Sequence, residues 1–191
     1  MSAAANVNRL LMADAFSFWG SFVHRRLLIA GIGLILLGAF LSVYPLHLLV
    51  LEKNEDWIFV RVVQPGDTFS LAYLHSVSLS DVRDLFRIDE EYRIILAETK
   101  FKGQGAGLPS AGLPSERWSR AGDWFHITGM KRIVSSPLLW RVDSHWQSRF
   151  QFDGEIEQSI ASRVGDGLIR IEIRKANLLR WLLYRFKSPF G

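Results

Sequence analysis

The sequence contains no cysteine. This excludes disulfide bonds, catalytic thiols and zinc–thiolate sites, while a domain of ordinary size folds without disulfides and so remains compatible with the periplasm. The excess of basic over acidic residues is also small: 23 Lys and Arg against 19 Asp and Glu give a net charge of +4, and no dense basic run occurs. We therefore expect no nucleic-acid partner, and the small basic excess fits anionic lipids better.

Catalytic and metal-binding motifs are lacking as well. The five histidines have no ligand spacing, and there is no G-x-S-x-G nucleophile motif. His75 and Ser76 are adjacent, but consecutive residues of a strand point to opposite faces and cannot form a nucleophile–base pair. Asp81 and Asp84 stand among arginines, which is typical of a solvated, salt-bridged face. We expect a non-enzymatic protein without metal or cofactor.

One long apolar run stands out against these absences. Residues 27–44 carry no Lys, Arg, Asp, Glu, Asn or Gln, and Pro45 follows. About 20 apolar residues span a bilayer as a helix, so the run predicts a transmembrane helix over 27–45. Arg25 and Arg26 directly before it place residues 1–26 in the cytoplasm, with Trp19 near headgroup level, and the rest of the chain in the periplasm of a bacterial inner membrane. We expect an uncleaved anchor rather than a signal peptide.

Residues 46–175 have β character. Short runs rich in β-branched and aromatic residues follow one another at a spacing of about 11 residues, with turn residues between them. The spacing predicts a mainly β, antiparallel sandwich or barrel-like domain. Residues 102–122 break the pattern because glycine and proline are dense there, and we expect no regular element in that segment.

The period changes again over residues 176–191. The leucines of ANLLRWLLYRFK fall on one face of a helix, with Arg180, Trp181 and Arg185 beside or opposite them. A basic, aromatic amphipathic helix suits a membrane surface or a partner's groove. The alternative is a last helix packed on its own domain.

Three short motifs carry a family resemblance. P-G-D-T at 65–68 precedes Y-L-H-S-V at 73–77, and G-A-G-L-P at 105–109 follows the next strands. In this order, behind an apolar anchor, they resemble a family of small bacterial proteins classed as a domain of unknown function and commonly encoded beside TRAP transporters of the TAXI type. The resemblance covers residues 46–175. A Pro-Val-x-Glu step often follows HSV in that family, and here Asp84 stands as the matching acid.

The resemblance implies association rather than chemistry. It favours an accessory subunit on the periplasmic face of a TAXI-type TRAP complex, in contact with the integral membrane subunits and a periplasmic solute-binding protein. We expect the candidate ligand or partner site at one end of the β domain, formed by His75, Ser76, Asp84, Gly105, Gly107, Leu108 and Pro109. The alternative is that the glycines only satisfy a tight loop and His75 only caps a strand.

Two other functions stay open. The first is a membrane-tethered module that binds or senses a small ligand, in which His75, Asp84 and the glycine loop line a pocket. The second is a periplasmic assembly factor that associates only transiently.

Overall fold

The computed structural model describes residues 25–76, 79–103 and 113–187. They form two compact units. One contains residues 25–45 and 177–187, and the other contains residues 46–176.

The first unit contains two helices. Helix α1 (Arg25–Val43) is apolar, unburied and long enough to cross a membrane. Helix α3 (Leu178–Lys187) begins where strand β12 (Gly167–Asn177) ends. The Leu178 N–H donates to the Tyr44 carbonyl at 3.2 Å, so α3 starts beside the residue that follows α1.

The start of α3 corrects the expected boundary at residue 176. The Asn177 Oδ1 atom accepts a hydrogen bond from the Arg180 N–H at 2.8 Å, as an N-cap residue does. Asn177 is also the last residue of β12. The strand therefore extends beyond the stretch in which apolar and polar residues alternate.

The second unit is mainly β, as predicted. Twelve strands lie within the described ranges: β1 (Pro45–Lys53), β2 (Asp56–Val62), β3 (Thr68–Leu74), β4 (Asp81–Ile88), β5 (Ile94–Lys102), β6 (Arg117–Ala121), β7 (Trp124–Thr128), β8 (Arg132–Ile133), β9 (Leu138–Val142), β10 (Arg149–Phe152), β11 (Gln158–Ser159) and β12. One short helix, α2 (Ile160–Val164), precedes β12.

The strands form two antiparallel sheets. The small sheet has the order β2-β1-β12-β9, and the large sheet has the order β11-β10-β3-β4-β5-β7-β6, with β8 pairing to β5. Both sheets contribute to one apolar cluster. Phe59 of the small sheet meets Phe150 of the large sheet edge to face, with ring centroids 4.9 Å apart. The prediction of a mainly β, antiparallel sandwich or barrel-like domain is confirmed, and the two sheets pack face to face.

The segment 102–122 is partly regular, contrary to expectation. Strand β6 pairs with β7 in a hairpin in which Ala121 stands opposite Trp124. Gly122 lies at the turn with φ of 61°, a conformation that glycine adopts without strain. The glycine that argued against a strand is therefore the residue that allows this hairpin to close.

Candidate ligand pocket

A cavity of about 420 Å³ opens between the two sheets, where β3 and β4 of the large sheet face β9 of the small sheet. Its walls come from the end of β3, from β4, from β9 and from the loop that follows β9. The lining residues are Leu71, Tyr73, Leu74, His75, Ser76, Asp84, Phe86, Leu138, Leu139, Trp140, Arg141, Trp146 and Ser148. Strand β9 is the last strand of the small sheet, so the cavity lies at an open edge of the sandwich.

Asp84 occupies a position where the sheet pattern calls for an apolar residue. In the antiparallel register it stands directly opposite Leu71, and Phe86 stands opposite Phe69. Side chains two residues apart share a face. Val82 and Phe86, on either side of Asp84, are buried. A carboxyl group therefore interrupts the inner, apolar face of the large sheet.

The charge of Asp84 is poorly compensated by the protein. Thr99 stands opposite it on β5 and donates its hydroxyl to the Asp84 Oδ1 atom at 2.6 Å. Within the described residues, no Lys, Arg or His side chain forms an ion pair with it. Burial raises the pKa of Asp84, and the hydrogen bond from Thr99 opposes that rise only in part. Burial, together with the nearby Asp84 charge, also raises the pKa of Tyr73.

The expected salt-bridged face holds Asp81 but not Asp84. Asp81 lies on the opposite side of β4, 3.3 Å from the Arg149 Nη2 atom and 3.9 Å from the Lys102 Nζ atom. Arg83 shares that side and contacts Glu157 at 2.6 Å. The explanation of Asp84 as part of this solvated cluster is wrong, because the period of two residues along a strand separates it from its charged neighbours.

His75 and Ser76 lie beyond the end of β3, which stops at Leu74 rather than at His75. The His75 N–H donates to the Ser80 carbonyl at 2.8 Å, and the His75 carbonyl accepts from the Leu79 N–H at 2.8 Å. The two residues line the same pocket. The alternation of side chains along a strand therefore does not separate His75 from Ser76. The expectation of a non-enzymatic protein stays a prediction, which now rests on the lack of catalytic motifs in the sequence.

Aromatic walls were missed by sequence reasoning. Trp140 is buried on β9, and Trp146 lies in the loop that follows this strand. The Trp146 carbonyl accepts a hydrogen bond from the Leu74 N–H at 2.8 Å. Ser148 is buried beside them, and its Oγ atom accepts from the Asp143 N–H at 3.1 Å. Alternation along β9 signals that Trp140 faces inward, but no local pattern shows that this strand faces Asp84.

The other predicted site and membrane-interface residues lie outside this cavity or outside the described ranges. Gly105, Gly107, Leu108 and Pro109 of the GAGLP loop lie outside the described residues, and so does Trp19. Arg25 and Arg26 are the first residues of α1. Arg180, Trp181 and Arg185 belong to α3. Three of the seven candidate ligand or partner residues thus meet in one cavity.

Over the described ranges there is no group of three or more His, Cys, Asp or Glu side chains arranged to hold a metal ion. His126 lies on the outer face of the large sheet, where its Nε2 atom is 2.8 Å from the Glu98 Oε2 atom.

Comparison with known proteins gives one match. No curated protein and no solved structure matches the chain. Every residue that lines the cavity falls between positions 69 and 157. That span, narrower than the 46–175 implied by the motifs, matches the model of a family described as a domain of unknown function (DUF1850).

Proposed function

We propose that this protein is a membrane-tethered module that binds a small ligand in the cavity between its two sheets. The observation that carries the proposal is Asp84, a partly buried acid with one hydroxyl partner that lines a cavity walled by aromatic side chains. Concave, mostly apolar cavities with a few convergent polar groups are the usual form of small-molecule sites. Burying a charge is unfavourable unless a partner compensates it, and a ligand supplies such a partner.

A thermal-shift screen of the full chain in detergent tests this function. We expect at least one small organic acid or amine to raise the melting temperature, because a ligand that binds only the folded state stabilises it. Trp146→Ala should reduce the shift, since Trp146 lines the cavity. Trp118→Ala, which changes an exposed tryptophan on β6, is the matched control and should preserve it. The function is contradicted if no compound shifts the wild-type chain.

We infer that α1 anchors the chain in a bacterial inner membrane, with residues 1–26 in the cytoplasm and the β unit in the periplasm. The unburied apolar helix and the Arg25–Arg26 pair before its apolar run support this orientation.

The absence of cysteine makes the orientation straightforward to test. A single cysteine introduced at the exposed Ser135 should react with a membrane-impermeant maleimide in cells whose outer membrane has been permeabilised. A cysteine in place of Ser2 should react only after the inner membrane is opened. The reverse labelling pattern would show the opposite orientation. Equal labelling of both sites while the inner membrane is intact would exclude a membrane-spanning α1.

Helix α3 fits the membrane surface in this arrangement. It starts one hydrogen bond from Tyr44, the residue after α1, and therefore near the level at which α1 leaves the membrane. Leu179 and Leu183 are exposed one turn apart on this helix. We propose that this apolar face meets lipid, with Arg180, Trp181 and Arg185 at the headgroup level.

A second candidate function is the accessory subunit of a TAXI-type TRAP transporter, non-enzymatic and docked on the periplasmic face. The motif order at 65–109, a domain-of-unknown-function match and a candidate anchor favour it. Its partners would be the integral membrane subunits and a periplasmic solute-binding protein. Co-purification through a C-terminal tag from native membranes in mild detergent tests it. A multi-spanning transporter in stable ratio is expected, and recovery of the chain alone would contradict the assignment.

A further inference from the structure

We propose that the ligand of this cavity is a small organic ammonium ion, held with its positive charge toward Asp84 and its apolar part against the aromatic walls. This inference rests on the proposed ligand-binding function and adds the chemical class of the ligand.

The charged group on the inner wall of the cavity is negative. Asp84 lies on the inner face of the large sheet between buried Val82 and Phe86, where water screens a charge less than at the surface. Its described hydrogen-bond partner is the neutral hydroxyl of Thr99. A cation entering the cavity would gain an ion pair that the protein does not itself provide, whereas an anion would be repelled.

The walls of the cavity are largely aromatic and aliphatic. Tyr73, Trp140 and Trp146 line the cavity around the acid, and aliphatic side chains complete it. Aromatic faces attract cations through their quadrupole, most strongly when the cation is an organic ammonium group that is readily desolvated. A carboxylate surrounded by aromatic rings therefore suits an alkylammonium better than a metal ion, which requires several oxygen ligands.

The positive groups of the lining do not reverse this conclusion. Arg141 lines the cavity from an exposed position on β9, so solvent screens its charge. His75 lies at the end of β3, beyond the sheet face that carries Asp84. The buried end of the cavity thus carries negative charge, while its exposed border carries Arg141.

Three probes of the same shape separate the charge classes. Choline is the cation, 3,3-dimethylbutan-1-ol is its neutral counterpart and 3,3-dimethylbutanoate is the anion. Binding to the full chain in detergent micelles is measured by isothermal titration at neutral pH, with protein-free micelles as the blank. We expect choline to bind at least about tenfold more tightly than either counterpart, which corresponds to about 1.4 kcal/mol.

Paired variants assign the preference to Asp84. Asp84→Asn should remove the preference for choline, since it keeps the size of the side chain and the acceptor for Thr99 but removes the charge. Asp81→Asn removes a charge from the same strand, on the opposite face, and should preserve the preference. Should Asp84→Asn fail to fold, the wild-type chain still decides the charge class, because the comparison of choline with its neutral and anionic counterparts needs no variant.

The outcomes distinguish the inference from the function on which it rests. Equal or tighter binding of the alcohol or the carboxylate overturns the cation assignment and leaves ligand binding in place. A choline preference that survives Asp84→Asn also overturns it. Failure of choline to bind while another compound raises the melting temperature overturns only the ligand class, whereas failure of every compound overturns both.

Discussion

Charged side chains have different partners on the two faces of the large sheet. On the outer face, Asp81 pairs with Arg149 and Lys102, and Arg83 pairs with Glu157. On the inner face, Asp84 lies three residues from Asp81 along the same strand and has a hydroxyl partner instead of a cation. The outer charges are explained by solvation and mutual pairing. Burial raises the pKa of Asp84 on the inner face, and this poorly compensated charge is the reason for the binding role that we propose.

The largest expected effect comes from packing on the inner face. Phe150 is 1% exposed and contacts Phe59 and Phe69. Phe150→Ala should lower the free energy of unfolding by about 3–5 kcal/mol, because a cavity replaces the ring. Denaturant unfolding of the full chain in detergent measures it. Ile156→Ala, at a residue 87% exposed, is the control and should stay within about 0.5 kcal/mol. Similar losses for both variants would show that the inner face is not the core.

Removal of the charge of Asp84 should raise the free energy of unfolding, whereas Phe150→Ala lowers it. We expect Asp84→Asn to raise the free energy of unfolding at neutral pH by about 1–2 kcal/mol, because a buried charge without a cation is unfavourable. The gain should depend on pH. The pKa of Asp84 is raised in the folded chain, so the contribution of Asp84 to stability falls as pH rises from the ordinary value of 3.8 through the folded pKa. The variant should lack that fall. A loss of stability in Asp84→Asn at neutral pH would contradict a poorly compensated charge.

Asp89, in the loop between β4 and β5, should depend on pH in the opposite direction to Asp84, because its pKa is lowered. Burial opposes ionisation of Asp89, but hydrogen bonds from the Arg93 N–H and guanidinium and from the Glu91 N–H prevail and lower its pKa. Its contribution is therefore present above pH 3.8 and lost as pH falls through the folded pKa.

Replacement of that acid should destabilise the chain. Asp89→Ala should lower the free energy of unfolding by about 1 kcal/mol at neutral pH, and the deficit should shrink in acid. Unfolding measured across pH checks this. If the deficit grows as the pH falls, the loop hydrogen bonds are not what lowers the pKa.

The smallest effect is expected on the outer face. Asp81 has a 38% exposed side chain, and its two ion pairs lie at 3.3 and 3.9 Å. Asp81→Asn should change the free energy of unfolding by less than about 1 kcal/mol, and added salt should reduce the difference further. A change as large as that of Asp84→Asn would remove the distinction between the faces.

Much of the fold follows from local pattern. Alternation and turn residues predicted the strands and their antiparallel class, because each depends on neighbouring residues. The hairpin at Gly122 was missed because dense glycine and proline serve turns as well as irregular loops.

The site was only half accessible to sequence reasoning. His75, Ser76 and Asp84 were selected from their motif, and they do line one cavity. The placement of Asp84 among arginines in the sequence concealed its inward position, and Trp140 and Trp146 come from a strand and loop far along the chain. Which sheet faces which is decided by packing between distant segments, which no local spacing encodes.

Direct titration of Asp84 tests the central claim most sharply. The full chain, labelled with ¹³C at aspartate carboxyls and assigned through Asp84→Asn, would be followed by NMR across pH with and without choline. The account predicts a pKa above 3.8 in the free protein and a fall when choline binds, because the cation favours the charged carboxylate. A pKa at or below 3.8 that choline leaves unchanged would contradict it.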